Sequence, residues 1–361
     1  MKFHGCFRDV PALAFAKLGD GEILGDTDHS VHDLHGEMKV SDLPTNHVLD
    51  VIEQYGCRAI FFVDTTYLLT LKKNFQIAAC KKDFETVMNH ITEIASRGHE
   101  IFPHLHPHWL DAKYLSATNE WQLLNTDKYR LYHINESERS EIFDQSIEIL
   151  QQRISKVNPS YLVDSYRAGG WCIQPFNTFL PYFIKHNIKF DFSVLGGFYL
   201  FSNAQYFDFS KAPQKPIYQF ENDITVEQNN GCFTEFNISS IYIPQQIKLF
   251  EKLFLKLYYK ITGDHSFSRG EGQIVVKIDK ALATPQQEGH DILDSRWERI
   301  AIELMSAVKQ GEYKKYLDAN NYMHFISHPK MLTRHNIRMF DKFLKFASDK
   351  YNLESDFRKM V

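Results

Sequence analysis

Short, continuous apolar runs alternate with amphipathic stretches along most of this chain. That is the pattern of strands buried on both faces and joined by crossover helices. Arg58-Ala59-Ile60-Phe61-Phe62-Val63 reads as such a strand ending at Asp64, and His99-Glu100-Ile101-Phe102 reads as the next. Residues 165–167, 190–194, 273–278 and 323–327 read likewise. Helical spacing predicts helices over 45–54, 84–97, 136–157, 176–187, 297–310 and 334–350, with Gly56 and Gly98 as stops. Residues 196–272 follow neither period cleanly and read as an inserted hairpin or lid. Alternating strands and helices, with no repeat and no Pro/Gly/Ser linker, predict an α/β fold with parallel strands in one domain spanning 1–361.

Composition narrows the class. The 361 residues are 43% hydrophobic, enough for one large core. A net charge of −4 gives no electrostatic reason to expect nucleic acid. Five widely spaced cysteines form neither a disulfide framework nor a CxxC pattern, and read as buried free thiols in a reducing compartment. No apolar run suits a signal peptide or a bilayer span, which predicts a cytoplasmic protein without stable membrane insertion. The amphipathic stretch 242–261 reads first as a core-facing helix; its lysines and aromatics also suit a peripheral membrane contact.

The strongest chemical signal is His104-Leu105-His106-Pro107-His108. Neutral imidazole is the commonest metal ligand among side chains. In an extended segment the three rings share one side; a bend at Pro107 aims only His104 and His108 inward. Asp64, the histidine cluster, Arg167, Asp191 and His328 all fall at or just beyond the ends of expected strands. Parallel α/β folds assemble their sites there.

These segments resemble the motifs of polysaccharide deacetylases. Arg97-Gly98-His99-Glu100-Ile101, followed by His104 and His108, is similar to the second motif of that family, and Arg58–Val63 to the strand before it. Tyr166-Arg167-Ala168-Gly169-Gly170-Trp171 resembles the third, Phe190-Asp191-Phe192-Ser193-Val194 the fourth, and Phe325-Ile326-Ser327-His328-Pro329-Lys330 the fifth. The order is kept from about residue 20 to about residue 335, and the nearest likeness is to divergent members of bacterial capsule and O-antigen clusters.

The resemblance implies a distorted (β/α) barrel of about seven parallel strands with a segment inserted around 196–272. It implies a metal-dependent hydrolase that removes the N-acetyl group from an amino sugar, in a surface glycan or its activated precursor. A divalent ion, usually zinc, would be held by His104, His108 and a carboxylate of the first motif. Asp26-Thr27-Asp28 fits that motif, with Asp28 as ligand and Asp26 as general base; Asp20 is a rival position. Zinc with three protein ligands keeps a position open for water and lowers its pKa. Asp26 would take the proton and His328 would protonate the leaving amine, with Asp191 orienting His328 and Arg167 paired with Asp26. Arg167 as a structural ion pair, Asp191 as a loop cap and His328 as a strand terminator before Pro329 are the plainer readings. Trp109 and Trp171 line a sugar groove or belong to the core, and His106 contacts substrate, supports the site or faces solvent. An amidohydrolase of small cyclic or linear amides, or a catalytically silent glycan-binding relative, would use the same scaffold.

Overall fold

The computed structural model describes residues 2–8, 44–117, 120–122, 128–202, 204–266 and 296–361. Fourteen strands occur among them: β1 (Lys2–Arg8), β2 (Ala59–Asp64), β3 (Glu100–Leu105), β4 (Lys113–Leu115), β5 (Glu120–Gln122), β6 (Ser165–Ala168), β7 (Phe190–Asp191), β8 (Tyr199–Phe201), β9 (Tyr206–Asp208), β10 (Ile217–Phe220), β11 (Phe233–Phe236), β12 (Ser240–Tyr242), β13 (Trp297–Arg299) and β14 (Tyr322–Ser327). The helices are α1 (Pro44–Gln54), α2 (Thr65–Lys73), α3 (Ala78–Ser96), α4 (Glu136–Ile154), α5 (Leu180–His186), α6 (Gln245–Thr262), α7 (Gln310–Asn320) and α8 (Arg334–Lys350).

The central sheet has the order β10-β11-β7-β6-β3-β2-β1-β14. Every neighbouring pair from β11 to β14 is parallel, and only the edge strand β10 runs antiparallel. The fold is therefore α/β around a mostly parallel sheet, as the alternation of elements predicts. Strand β2 is buried along its whole length, which explains why it is apolar rather than alternating. A further set of backbone bonds links the sheet's distant parts: Ser239 N–H donates to His324, Ile300 to Ser239, Ile326 to Ile300, and Ile238 to Val194.

Local signals set the boundaries. Asn135 caps α4 through Glu138 N–H, with Glu136 and Glu138 in the positive first turn. Thr333 and Asn336 form a reciprocal capping box at the start of α8. Helices α5 and α7 end on Asn187 and Asn321 in the left-handed region, where asparagine is tolerated.

Three expectations require correction. Residues 297–310 are not a helix: they form β13, a single turn at Ile302–Leu304 and a loop into α7. Ile300, Ala301 and Ile302 are fully buried, and Ala301 bridges in parallel to Ile326 of β14. The region 196–272 does hold a hairpin, β8–β9, but it also supplies β10 and β11 to the main sheet. Of the cysteines whose surroundings are described, Cys57, Cys80 and Cys172 are buried thiols, whereas Cys232 is exposed. The strand expected at 273–278, and Asp20, Asp26 and Asp28, lie outside the described residues. The first described strand is β1, upstream of all three aspartates.

Candidate active site

Strand β3 carries His104 near its end, and the chain then turns through Pro107–Asp111. This bend does not expel His106, as a simple two-ligand turn would. His104, His106 and His108 are all buried, and their rings meet edge to face in series, at 4.7 Å and 5.5 Å between centroids. Tyr129 stacks on His108 at 5.1 Å and meets His106 at 5.8 Å.

The glycines of the Arg-Ala-Gly-Gly-Trp segment explain how so many rings fit. A methyl group on Gly169 would lie 2.1 Å from the Leu105 carbonyl oxygen and 3.0 Å from His106 Nδ1. Gly170 has φ +57, and a side chain there would meet Gln205 at 2.6 Å and the Tyr129 hydroxyl at 2.7 Å. These two positions must be bare for the histidine turn and Tyr129 to close over the end of β6.

The donor set suits a divalent cation. His104 Nδ1 lies 2.7 Å from the Arg167 carbonyl oxygen, so Nδ1–H donates there and Nε2 is the ring's acceptor atom. A metal-binding histidine is commonly held in this way. Both ring nitrogens of His108 are buried without a hydrogen-bond partner among the described residues. Burial pushes the His108 pKa down to about 3, so the ring is neutral at physiological pH. A neutral His108 at one turn with His104 fits zinc chemistry, although no group of three metal-binding side chains is complete among the described residues. Asp28, the ligand expected to complete it, and Asp26, the expected general base, belong to the part of the chain not described.

Asp64 ends β2 in register with His104. Its carboxylate caps α2, accepting from Tyr67 N–H at 3.1 Å and from the Thr66 hydroxyl. Thr66 in turn accepts from His106 N–H at 2.9 Å, tying the cap to the histidine turn. Burial raises the Asp64 pKa to about 7 against these hydrogen bonds.

Arg167 is fully buried in β6, in register with His104. Its charge acts on two buried carboxyl groups, Asp191 of β7 and Glu235 of β11, and lowers the pKa of both. Burial raises both more strongly, and the charge of Asp191 raises Glu235 further, so Glu235 is the one of the two that holds a proton. Asp191 also accepts from Ser193 N–H at 2.8 Å.

His328 follows β14 and is buried. Its Nδ1 lies 2.8 Å from Glu303 Oε1, with both side chains almost wholly enclosed. Burial raises the Glu303 pKa, but the charge and hydrogen bond of His328, helped by Arg299, bring it below the ordinary carboxylate value. The carboxylate that orients His328 is therefore Glu303, not Asp191, which is engaged with Glu235 and Ser193. Sequence reading missed Glu303 because it lies in the segment taken for a helix. Glu235 was missed because β11 is four residues long, although a glutamate between Thr234 and Phe236 in a buried strand was the available signal.

The tryptophans separate. Trp109 is fully buried between Tyr67 at 4.8 Å and Trp121 at 5.7 Å, a core residue rather than a groove wall. Trp171 is partly exposed and meets Phe207 edge-on at 5.5 Å. His106 does not face solvent.

No family model and no curated protein matches the chain. Solved structures similar to it include a protein assigned as a polysaccharide deacetylase from Mycobacterium smegmatis, at 11% identity over 88% of this chain and 76% of that one, with a TM-score of 0.44. The allantoinase PuuE is 8% identical over 99% and 88%, with a TM-score of 0.45. The catalytic domain of a peptidoglycan N-acetylglucosamine deacetylase from Eubacterium rectale is 12% identical over 98% and 87%, with a TM-score of 0.33. At these values the likenesses assign no chemistry, and the functional reading stands on the side chains described above.

Proposed function

We propose that the protein is a hydrolase of amide bonds that removes the N-acetyl group from an amino sugar in a surface glycan or its precursor, with one divalent ion, zinc by the donor set, held in a distorted barrel. The observation that carries this reading is the buried turn after β3: His104 is oriented by a backbone carbonyl, and neither nitrogen of His108 has a hydrogen-bond partner among the described residues. A desolvated imidazole such as His108, with neither nitrogen bonded among the described residues, is costly unless it binds something. His104, His108 and Asp28 would hold the ion, which when bound acts as a Lewis acid toward the amide carbonyl and lowers the pKa of water.

The chain's own residues supply the rest. Asp26 accepts the proton of the attacking water. His328 donates a proton to the departing amine from Nε2, because Nδ1–H is committed to Glu303. Anionic Glu303 fixes that tautomer and supports the doubly protonated ring. Arg167 keeps the Asp191–Glu235 pair at a single negative charge beside the site. Trp171 offers a partly exposed ring for the apolar face of a sugar.

The test is acetate release from N-acetylated amino sugars, free, nucleotide-linked and oligomeric, with a cyclic amide in the same panel. Release that disappears on chelation and returns with zinc supports the proposal. Zinc-loaded protein that opens only the cyclic amide, or turns over none of the substrates, overturns it.

A further inference from the structure

Helix α6 does not behave as a core-facing helix. Its inward side seats Ile247 against the core and packs Phe254 and Tyr258 on His335 of α8 at 6.1 Å and 4.7 Å, and the Tyr258 hydroxyl accepts from Arg338 at 2.9 Å. Its only acidic residue, Glu251, is buried and paired with Lys309 at 2.9 Å. The opposite side carries five apolar residues outward, with Leu249 58%, Phe250 61%, Leu253 60%, Leu257 60% and Ile261 73% exposed. Leu249, Leu253, Leu257 and Ile261 fall every fourth residue and make one stripe. Lys252, Lys256 and Lys260, also exposed and also every fourth residue, run alongside it.

We infer that α6 is an interfacial helix that seats this protein on an anionic lipid surface. Apolar residues flanked by lysines, with no acidic side chain on the exposed face, match a negatively charged headgroup layer above an acyl interior. A second copy fits less well, because a two-fold contact through this stripe sets one lysine row against the other with no carboxylate between them. No helix among the described residues is long and apolar enough to cross a membrane, so the contact is peripheral. The helix is also placed to serve the site. Beyond its C-terminal end, Asp264 accepts from His335 N–H at 2.9 Å and Arg334 N–H at 3.3 Å. Those residues open α8, which follows His328 and the short turn Pro329–Met331 in the chain. The stripe would thus hold the start of α8 near the membrane. The inference rests on α6 alone and stands or falls apart from the hydrolase reading.

The test is co-sedimentation of the full chain with vesicles of phosphatidylcholine, or of equal parts phosphatidylcholine and phosphatidylglycerol. The protein is expected to pellet with the mixed vesicles, to stay in solution with phosphatidylcholine alone, and to be released by salt. Replacing Lys252, Lys256 and Lys260 together by Gln should weaken vesicle binding about a hundredfold. Leu253→Glu with Leu257→Glu should abolish it while leaving the circular dichroism spectrum and melting temperature unchanged, since both positions face outward. Wild-type protein left in solution with anionic vesicles overturns the proposal, as does unchanged pelleting of the double variant. A fall from dimer to monomer mass in the double variant, without wild-type vesicle binding, overturns it in favour of self-association.

Discussion

Strand β3 has a histidine at each end, and the two ends differ in how those rings are satisfied. His99, just before the strand, uses both nitrogens within the protein: Nδ1 accepts from Ala59 N–H at 3.1 Å, and Nε2–H donates to Glu53 at 2.8 Å. It ties β2 and α1 to the strand's entrance. At the exit, His108 is as deeply buried yet has no hydrogen-bond partner among the described residues. Asp64, beside that exit, has its pKa raised by burial to about 7. One end of the strand is built for stability, whereas the other keeps polar groups out of water at a cost. Costly burial of this kind marks a site.

The contrast can be broken most severely at the exit. His104→Ala should abolish acetate release, whereas a purely structural His104 would leave turnover per folded molecule unchanged. The next effect belongs to His328. His328→Gln should lower kcat by about 10² to 10⁴ with metal content unaltered, and Glu303→Gln should move kcat in the same direction by less. Loss of zinc from His328→Gln would place that residue among the ligands instead.

Asp64 sharpens the comparison through pH. Its pKa rises from 3.8 unfolded to about 7 folded, so the folded state binds the proton more tightly. Stability from this group is therefore greatest at low pH and falls as pH rises from 3.8 to about 7, by up to about 4 kcal/mol. Asn is as good a helix cap as Asp. Asp64→Asn should remove that slope from denaturant midpoints measured across pH 4 to 8 in metal-free protein, and an unchanged slope would assign the burial cost elsewhere. The smallest effect is expected at the entrance. His99→Ala should cost about 1–3 kcal/mol by stranding Ala59 N–H, seen as a lower melting temperature, with kcat unchanged.

The legible parts of this molecule were those in which a local signal and a tertiary role agree. β2 announces itself as five consecutive apolar residues with no period, and α8 by its Thr333–Asn336 box and its apolar stripe. The histidine turn was legible because three imidazoles in five residues need a joint explanation. The segment around Glu303 misled because Trp297, Ile300, Ala301 and Leu304 fall three and four apart, whereas the chain uses them extended beside β14. Helix α6 misled in the opposite way: its stripe is truly helical, but sequence periodicity does not say which side meets the protein. Trp109 gave no sequence sign of being core, since a tryptophan beside a histidine cluster suits a sugar groove equally well.

The central claim is that the exit of β3 binds a divalent ion through His108 while the entrance does not. Zinc content should be measured on desalted wild-type, His99→Ala and His108→Ala proteins after incubation with the ion. The account predicts one ion per chain in wild type and in His99→Ala, and none in His108→Ala. Full zinc occupancy in folded His108→Ala, or its loss only in His99→Ala, would contradict it.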